Sequence, residues 1–270
     1  MAVNSAPLSH LLEVSDLSVS FLQNDGSLVT RVNGIYLHVD YQEIVALVGS
    51  SGCGKTLTVK ALARLDNAAT YSGRIEIDHR SVLDLPAKDL PRIRGRQISY
   101  LFQNPQSSLN PYLSIGAQID EVLALHSQAP PPSRRQAAID LFEQLSVPDP
   151  DRRLMQYPHE QSGGIAQRIA LAMALACKPN LLVVDEPTSS LDPPSRLVIL
   201  QCLKQQKRER SVFMVTHDIA AAMEIADRVY VMYEGRLVEH GFSSTVFNNP
   251  QHPQTRSLVE SSRGSLSPMA

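Results

Sequence analysis

The residues best suited to chemistry in this chain form a glycine-rich loop, Gly49-Ser50-Ser51-Gly52-Cys53-Gly54-Lys55-Thr56, which fits the pattern G-x-x-x-x-G-K-[ST]. An apolar run, Ile44–Val48, precedes the loop and is predicted to be a buried strand, and residues 57–65 are predicted to form a helix. Glycines let successive N–H groups point into one concavity, and the positive end of the helix dipole adds to that field. The loop is therefore predicted to bind a nucleoside triphosphate, with Lys55 on the β- and γ-phosphates and Thr56 on Mg²⁺.

Polar residues that suit phosphate transfer follow three other apolar runs. They are Gln103, the pair Asp185 and Glu186, and His217. In open α/β sheets ligands lie at the carboxyl ends of the strands, so these side chains are expected near the loop. Two adjacent carboxylates are costly to bury without partners, which favours a functional role. Asp185 is predicted to orient the Mg²⁺ shell, and Glu186 to position and polarise the attacking water.

The composition indicates a globular protein. The chain has 270 residues, of which 43% are hydrophobic and 19% charged, enough for a sizeable core. Its formal net charge of −2 gives no general attraction to nucleic acid or anionic lipid. Cys53, Cys177 and Cys202 are too scattered for a disulfide framework or a metal site, and their usage suits a reducing cytoplasm.

Neither a secretory signal nor a membrane span is predicted. Residues 1–9 lack the basic start and apolar run of a signal peptide. The longest apolar stretch, 169–177, is far shorter than the roughly 20 residues that a spanning helix needs. If the protein works at a membrane, we expect partners to hold it there.

The N-terminal part is predicted to be an antiparallel β flank on an α/β core. Residues 12–21 and 29–39 alternate as strands, and Asn24-Asp25-Gly26 is the expected turn between them. Phe21, at the end of the first strand, could be a core residue or an aromatic platform for an adenine ring.

A helical lobe is predicted between two parts of the core. Strands are expected at 73–77 and 98–102, and Pro105 should keep the loop 103–105 out of a helix. Helix 114–125 follows, then a stiff Pro130-Pro131-Pro132 connector and a capping box at Ser133-Arg134-Arg135-Gln136.

The second half returns to the α/β pattern. Helices are predicted at 165–176 and from about 193 to 206, strands at 181–184 and 212–215, and a hairpin at 228–232 and 236–239. We expect one cassette over 1–258, with its core at about 8–105 and 160–240, the helical lobe at 106–159 and an extension at 241–258. The Ser-rich tail from residue 257 is predicted to be frayed, and residues 259–270 are predicted to be a disordered tail.

In their order along the chain these motifs resemble the ATP-hydrolysing subunit of an ABC transporter, over nearly the whole chain. The resemblance adds a signature at Ser162-Gly163-Gly164 and a D-loop at Ser190-Leu191-Asp192. It implies a P-loop ATPase core in which Phe21 is the adenine platform and Glu186 the catalytic base. It also implies that Gln103 joins Thr56 on Mg²⁺ and that His217 contacts the γ-phosphate.

Two further stretches resemble importers of di- and oligopeptides and nickel. They are Phe102-Gln103-Asn104-Pro105 with Ser108-Leu109-Asn110-Pro111, and the closing motif at residues 248–256. The family's signature usually reads Leu-Ser-Gly-Gly-Gln, whereas here Gln161 and Ile165 flank the serine and glycines. A hydrophobic residue at the last place resembles the first of the two unlike ATPase chains in such importers. How Gln161 and Ile165 affect hydrolysis is left open by the sequence.

The resemblance implies ATP and Mg²⁺ as cofactors and several protein partners. These are a second, non-identical ATPase chain, two permease subunits and an extracytoplasmic solute-binding protein. The resemblance also implies that this chain lies at the cytoplasmic face of the bacterial inner membrane. Two rival hypotheses are an ABC ATPase acting on DNA or ribosomes and a non-hydrolysing regulatory cassette. The first predicts a long coiled-coil insertion, a zinc hook or two cassettes in one chain, none of which the sequence shows, and the net charge is not basic. The second is suggested by the altered signature, and the intact Lys55, Asp185, Glu186 and His217 argue against it.

Overall fold

The computed structural model describes residues 10–126 and 129–264, which form two β-sheets and the helices around them. The strands are β1 (Leu12–Leu22), β2 (Leu28–Val39), β3 (Ile44–Val48), β4 (Ala69–Ile77), β5 (Arg80–Ser81), β6 (Ile98–Leu101), β7 (Leu181–Asp185), β8 (Ser211–Thr216), β9 (Arg228–Tyr233) and β10 (Arg236–Phe242). The helices are α1 (Lys55–Ala61), α2 (Leu90–Ile93), α3 (Pro105–Ser108), α4 (Ile115–His126), α5 (Pro131–Gln144), α6 (Pro150–Met155), α7 (Gly163–Leu175), α8 (Pro193–Gln206), α9 (Ile219–Ile225), α10 (Ser243–Asn248) and α11 (Pro253–Gly264). Short 3₁₀ turns lie at Ala87–Asp89 and Pro158–Glu160.

The central sheet has six strands in the order β10-β9-β3-β8-β7-β6. All neighbours are parallel except β10, which pairs antiparallel with β9. Every residue of β3 is buried because both faces of the sheet are covered. Ile44, Ala46 and Val48 face one apolar cluster, and Val45 and Leu47 face the other. The carboxyl ends of β3, β6, β7 and β8 consequently meet at one edge of the sheet.

A second sheet of four antiparallel strands, in the order β2-β1-β4-β5, covers one face of the central sheet. Leu12 of β1 pairs with Val39 of β2 on one side and with Ile77 of β4 on the other. Inward-facing residues such as Leu12 and Leu17 are fully buried. The predicted α/β core with an N-terminal β flank is confirmed.

The helical lobe follows β6 and consists of α3 to α6. Helices α4, α5 and α6 pack on one another, and α3, α4 and α5 also contact α7. Fully buried side chains such as Ile115 and Phe142 join the apolar cluster on that side of the central sheet. Within the described part of the chain, no helix combines the length and apolar character needed to cross a membrane.

Helix α1 ends earlier than the sequence predicts. It ends at Ala61 rather than at residue 65, and the turns after it close with Arg64 in the left-handed region at φ 50°. The N–H of Leu65 donates to the carbonyl of Lys60 at 2.9 Å, and that of Arg64 to Ala61 at 3.0 Å. These two bonds form a C-terminal capping motif that the apolar pattern does not reveal.

Two prolines begin helices instead of excluding them. Pro105 is the first residue of α3, and Pro131 is the first residue of α5. A proline has no N–H to donate, so it fits the first turn, where that donor would have no helical partner. The predicted capping box at Ser133 is therefore wrong, because Ser133 lies inside the helix and its N–H donates to Pro130.

The prediction of a disordered tail is wrong for the residues up to 264. Helix α11 runs to Gly264 and buries Thr255 and Val259 against the rest of the chain. This helix has few apolar residues and several serines, so its sequence does not show the apolar pattern by which a helix is predicted. Residues 265–270 lie outside the described residues.

Candidate active site

The phosphate loop lies between β3 and α1 and is held against the hairpin of β9 and β10. A Cβ atom at Gly49 would lie 2.3 Å from the carbonyl oxygen of Met232, so no larger residue fits there. Gly54 adopts φ 115°, which L side chains rarely tolerate. The N–H of Gly235, in the hairpin turn, donates to the carbonyl of Cys53 at 2.9 Å. The loop shape therefore depends on β9 and its turn as well as on its own glycines.

Lys55 lies at the centre of the loop with 6% of its surface exposed. Its Nζ donates to the carbonyls of Gly49 at 2.8 Å and Ser50 at 3.0 Å. These two hydrogen bonds hold the ammonium group above the loop. Burial also raises the pKa of the neighbouring Cys53 thiol.

Thr56 and Asp185 meet across the sheet edge. The Thr56 hydroxyl donates to Oδ2 of Asp185 at 3.1 Å, which joins the start of α1 to the end of β7. Asp185 is 5% exposed, and its Oδ1 is buried without a hydrogen-bond partner. Burial raises the pKa of this carboxyl, and the hydrogen bond from Thr56 acts in the opposite direction. An acceptor oxygen beside a threonine hydroxyl is the donor set that suits Mg²⁺.

Glu186 and His217, at the ends of β7 and β8, are joined directly. Oε1 of Glu186 accepts from the backbone N–H of His217 at 3.0 Å and lies 2.7 Å from its Nδ1. Oε2 accepts from the hydroxyl of Thr216 at 3.2 Å. Glu186 has φ 51°, an uncommon conformation for a side chain other than glycine. The carboxylate is buried and oriented on both oxygens, as a group that positions water requires.

The strand-end residues open onto a pocket of about 490 Å³. Glu186, Ser189 and His217 line one side, and Leu258, Ser261 and Ser262 of α11 line another. Arg196 of α8 contributes a guanidinium that pairs with Asp218 at 3.0 Å. The pocket next to the predicted catalytic pair is thus partly walled by the C-terminal helix.

Gln103 follows β6, whose carboxyl end lies at the same edge of the sheet as the carboxyl end of β7. The side chain of Gln103 is exposed and lines a different pocket, of about 530 Å³, together with Asn104, Gly163 and Ser190. Gln103 therefore shares a pocket with the chain's own signature glycine and D-loop, and its role on Mg²⁺ stays a prediction.

The signature residues begin α7. Ser162 is the N-cap residue, and both Ser162 and Gly163 are exposed. Gly164 is buried, and a Cβ there would lie 2.4 Å from Oγ of Ser195 on α8. In the D-loop, Asp192 caps α8 by accepting from the N–H of Ser195 at 3.2 Å, and this bonding lowers the pKa of Asp192.

Phe21 lies near the end of β1 and pairs with Val29 of β2 and Ala69 of β4. It is partly buried and packs against the apolar cluster between the two sheets. This partial exposure fits either prediction from the sequence, a core residue or an adenine platform.

The closing motif at 248–256 forms the turn between α10 and α11. The two carboxylate oxygens of Glu239 on β10 accept the backbone N–H groups of Gln251 at 2.8 Å and His252 at 3.0 Å. Arg256 donates to the carbonyls of Pro250 and Gln251. Glu239 therefore fixes the start of the helix that reaches the catalytic pocket.

Sequence reasoning missed several residues that support the site. Thr216 directly precedes His217, and that adjacency was the available signal. Gly235 and Ser195 act through close approaches between distant segments, which no local pattern encodes. Glu239 is also separated in sequence from the residues that it binds, since His252 follows it by 13 positions.

The fold and the strand-end chemistry together define a P-loop nucleoside triphosphatase. The model of the family described as ABC transporter matches residues 32–189. The chain therefore belongs to the ABC transporter family, and the predicted class, an ATPase coupled to transport, is confirmed.

Three relatives of known name indicate which part of the ABC transporter family the chain resembles. The chain is 39% identical over 259 residues to the oligopeptide transport ATP-binding protein OppD of Bacillus subtilis (strain 168), covering 94% of this chain and 72% of that protein. It is 39% identical to the dipeptide transport ATP-binding protein DppD of the same strain, covering 94% and 77%. OppD of Escherichia coli (strain K12) is also 39% identical, with 92% and 74% covered. The predicted resemblance to peptide importers is confirmed.

Solved structures of other ABC cassettes have the same fold. A dimeric post-hydrolysis structure of the ATP-binding cassette MJ0796 bound to ADP and Pi matches with a TM-score of 0.78 and 25% identity, covering 86% of this chain and 98% of that one. CbiO1 from Clostridium perfringens, part of the ABC transporter complex cbiONQ, matches with a TM-score of 0.76 and 26% identity, covering 89% and 91%.

Proposed function

We propose that this chain is the ATP-hydrolysing subunit of a bacterial ABC importer for peptides, working at the cytoplasmic face of the inner membrane. The observation that carries the proposal is the contact of Glu186 with His217 beside the Thr56–Asp185 pair and the phosphate loop. Nickel or a metal chelate is the alternative solute class that the sequence motifs allow. Peptides are favoured because the relatives quoted above are named for oligopeptide and dipeptide transport.

In the proposed mechanism each group of site residues has its own task. The loop N–H groups and Lys55 bind and orient the β- and γ-phosphates, and Phe21 stacks on the adenine ring. Glu186 accepts a proton from the attacking water, for which its carboxylate is already oriented by Thr216 and His217. His217 donates from Nδ1 to the ionised carboxylate, and its proposed contact with the γ-phosphate needs a hydrogen on Nε2 as well, because an unprotonated ring nitrogen cannot donate to a phosphate oxygen.

Mg²⁺ is proposed to bind at Thr56, with Asp185 orienting its water shell and Gln103 joining from the helical lobe. The unpartnered, buried Oδ1 of Asp185 supports this assignment, because a cation nearby would compensate its burial. When bound, the ion neutralises charge that develops on the phosphate oxygens. Gln103 is exposed just after β6, which neighbours the strand that ends at Asp185.

Two cassettes are proposed to close head-to-tail around two ATP molecules. Ser162 and Gly163 are exposed at the N-terminus of α7, where a partner's γ-phosphate could bind. Ile165 replaces the family's usual glutamine, so a partner of a different sequence would give two unlike ATP sites. The second ATPase chain is therefore proposed to be a paralogue.

The helical lobe is proposed to dock on the permease subunits. Large apolar side chains are exposed there, among them Tyr112 at 87% and Met155 at 72%. Beside them lies a groove of about 550 Å³, named here the lobe groove and lined by Ser114, Gly116, Leu154, Met155 and Tyr157 among others. An exposed apolar groove of this size is typical of a protein-binding surface.

The proposal is tested with the chain purified together with its membrane partners and reconstituted in liposomes. ATP hydrolysis should rise when the solute-binding protein carries a dipeptide or oligopeptide, and should not rise with Ni²⁺. Stimulation by Ni²⁺ alone would indicate that the chain energises an importer of metal rather than of peptides. A complex that binds ATP without hydrolysing it would favour the regulatory hypothesis.

A further inference from the structure

Gln161, which stands where the family's signature usually has leucine, is a buried polar residue with its amide fully engaged. It is 5% exposed, although it directly precedes the exposed Ser162. Its Oε1 accepts from Arg153 at 3.1 Å, and its Nε2 donates to Oε1 of Gln156 at 3.2 Å and to the carbonyl of Tyr157 at 3.2 Å. Buried polar groups are costly unless bonded, so this side chain is specified by its partners.

The partners of Gln161 belong to the end of α6 and the segment after it. Arg153 also donates to Oε1 of Gln156 at 3.0 Å, so the three side chains form a closed triangle. The backbone carbonyl of Gln156 accepts the N–H of Ile115, the first residue of α4, at 2.8 Å. The triangle therefore ties α4, α6 and the start of α7 together.

The same segments form the lobe groove. Leu154 and Met155 lie between Arg153 and Gln156, and Ser114 and Gly116 flank Ile115. A displacement of either wall of the groove changes the position of Gln156, and through the hydrogen bonds of Gln161 it reaches the residue before Ser162. A leucine at 161 would pack there without forming these directed bonds.

We infer that Gln161 is a positioning residue: with Arg153 and Gln156 it fixes the Ser162 end of α7 relative to the lobe groove. The inference rests on the proposed function, because it assumes that the signature residues take part in ATP hydrolysis. The signature contacts ATP of the opposite cassette only when the cassettes close. Loss of the triangle therefore lowers kcat and leaves ATP binding to the chain's own phosphate loop unchanged.

The test compares Gln161→Leu with Gln136→Leu in the reconstituted transporter. Gln136 lies on α5 of the same lobe, is exposed and donates to Asp140, so it is a matched control outside the triangle. Gln161→Leu should lower kcat roughly five- to tenfold, the effect of about one lost hydrogen bond, with KM for ATP changed less than twofold. Arg153→Leu should lower kcat similarly, and the double variant should be no worse than either single variant.

A second readout uses the isolated chain and needs no partner. Hydrogen exchange at Ala166, whose N–H donates to the carbonyl of Ser162 at 2.8 Å, should be faster in Gln161→Leu than in the wild type, because the first turn of α7 loses its anchor. Equal kcat and equal exchange for Gln161→Leu and Gln136→Leu would overturn the inference. If the wild-type complex does not hydrolyse ATP, the proposed function fails, while the exchange comparison still decides whether Gln161 positions Ser162.

Discussion

Glu186 Oε1 receives both the backbone N–H and the ring Nδ1 of His217, at 3.0 and 2.7 Å. An ionised carboxylate can only accept, so Nδ1 carries the proton and the ring tautomer is set by Glu186. The orientation of the Glu186 carboxylate and that of the His217 ring therefore depend on each other.

Replacing Glu186 by glutamine should lower turnover on the order of 10²-fold or more and leave ATP binding intact. The amide keeps the size of the side chain and one acceptor oxygen, but it cannot take a proton from water. Hydrolysis of labelled ATP by the assembled transporter measures the first effect and equilibrium binding to the isolated chain the second. Glu224→Gln, an exposed change on α9, is the matched control. Near-normal hydrolysis by the Glu186 variant would remove it from the mechanism.

Lys55→Ala should weaken ATP binding roughly ten- to a hundredfold, the effect of losing a charged hydrogen-bond donor. The wild-type ammonium is already held at the loop by two carbonyls, so little reorganisation precedes binding. Equilibrium binding of ATP to the isolated chain measures this. Lys88→Ala, at an exposed position, serves for comparison and should bind as the wild type does.

Ile165→Gln should change transport by only a few-fold, corresponding to about 1 kcal/mol or less. Ser162 and the helix N-terminus remain in place, and Ile165 is only partly buried. Solute uptake by the reconstituted importer is the measurement. A hundredfold gain would show that this chain's signature is a degraded half-site, and the regulatory hypothesis would gain support.

The stability of the chain should fall as pH decreases below the ordinary histidine value of 6.5. Burial, then Arg228 and His10, lower the pKa of His38, so the unfolded state takes up a proton that the folded state resists. The groups that face His38 are His10, Glu13, Asp40, Arg228 and Tyr230, with Glu43 beside Arg228. The free energy of unfolding should therefore decrease from pH 6.5 down to the lowered pKa and stop changing through this group below it.

Denaturant unfolding between pH 7.5 and 5 measures this dependence. His38→Gln should flatten the slope, because the substituted side chain does not titrate. His159→Gln, at an exposed position of the helical lobe, should leave the slope as it is in the wild type. An unchanged slope in the His38 variant would show that other groups cause the loss.

The isolated Glu186→Gln chain should stay largely monomeric at micromolar concentration with Mg-ATP, and should form a one-to-one dimer when the companion ATPase is added. ADP should not support this dimer, and Ser162→Arg should block it through steric bulk at the exposed N-cap. Light scattering distinguishes the two states. A stable ATP-dependent homodimer of this chain would mean that one gene product supplies both cassettes.

Most of the phosphate site was predictable because it obeys a topological rule. Once β3, β7 and β8 are recognised as parallel buried strands, their polar ends must converge, which brings Thr56 to Asp185 and Glu186 to His217. The roles of individual site residues stay predictions. Gln103 shows why, since it follows a strand of the same sheet and also lines a pocket with Gly163, so its position alone does not assign it to Mg²⁺.

The supporting contacts were not predictable, because they join segments that are distant in sequence. The bonds from Glu239 to the start of α11 depend on a helix that the serine-rich composition concealed. The triangle around Gln161 depends on where α6 ends, and single-sequence patterns give helix ends poorly. Pro105 and Pro131 show the same limitation, because a proline can either exclude a helix or begin one.

The absence of a side chain at Gly164 has a consequence for how this surface can change in evolution. Ser195 occupies the space that a Cβ would need, and Ser195 is also the residue that Asp192 caps. The two loops that are proposed to face a partner cassette thus share one contact between α7 and α8. A larger residue at 164 would require Ser195 to shift, and the start of α8 and the cap from Asp192 would shift with it. We therefore expect a substitution in the signature at this position to disturb the D-loop as well.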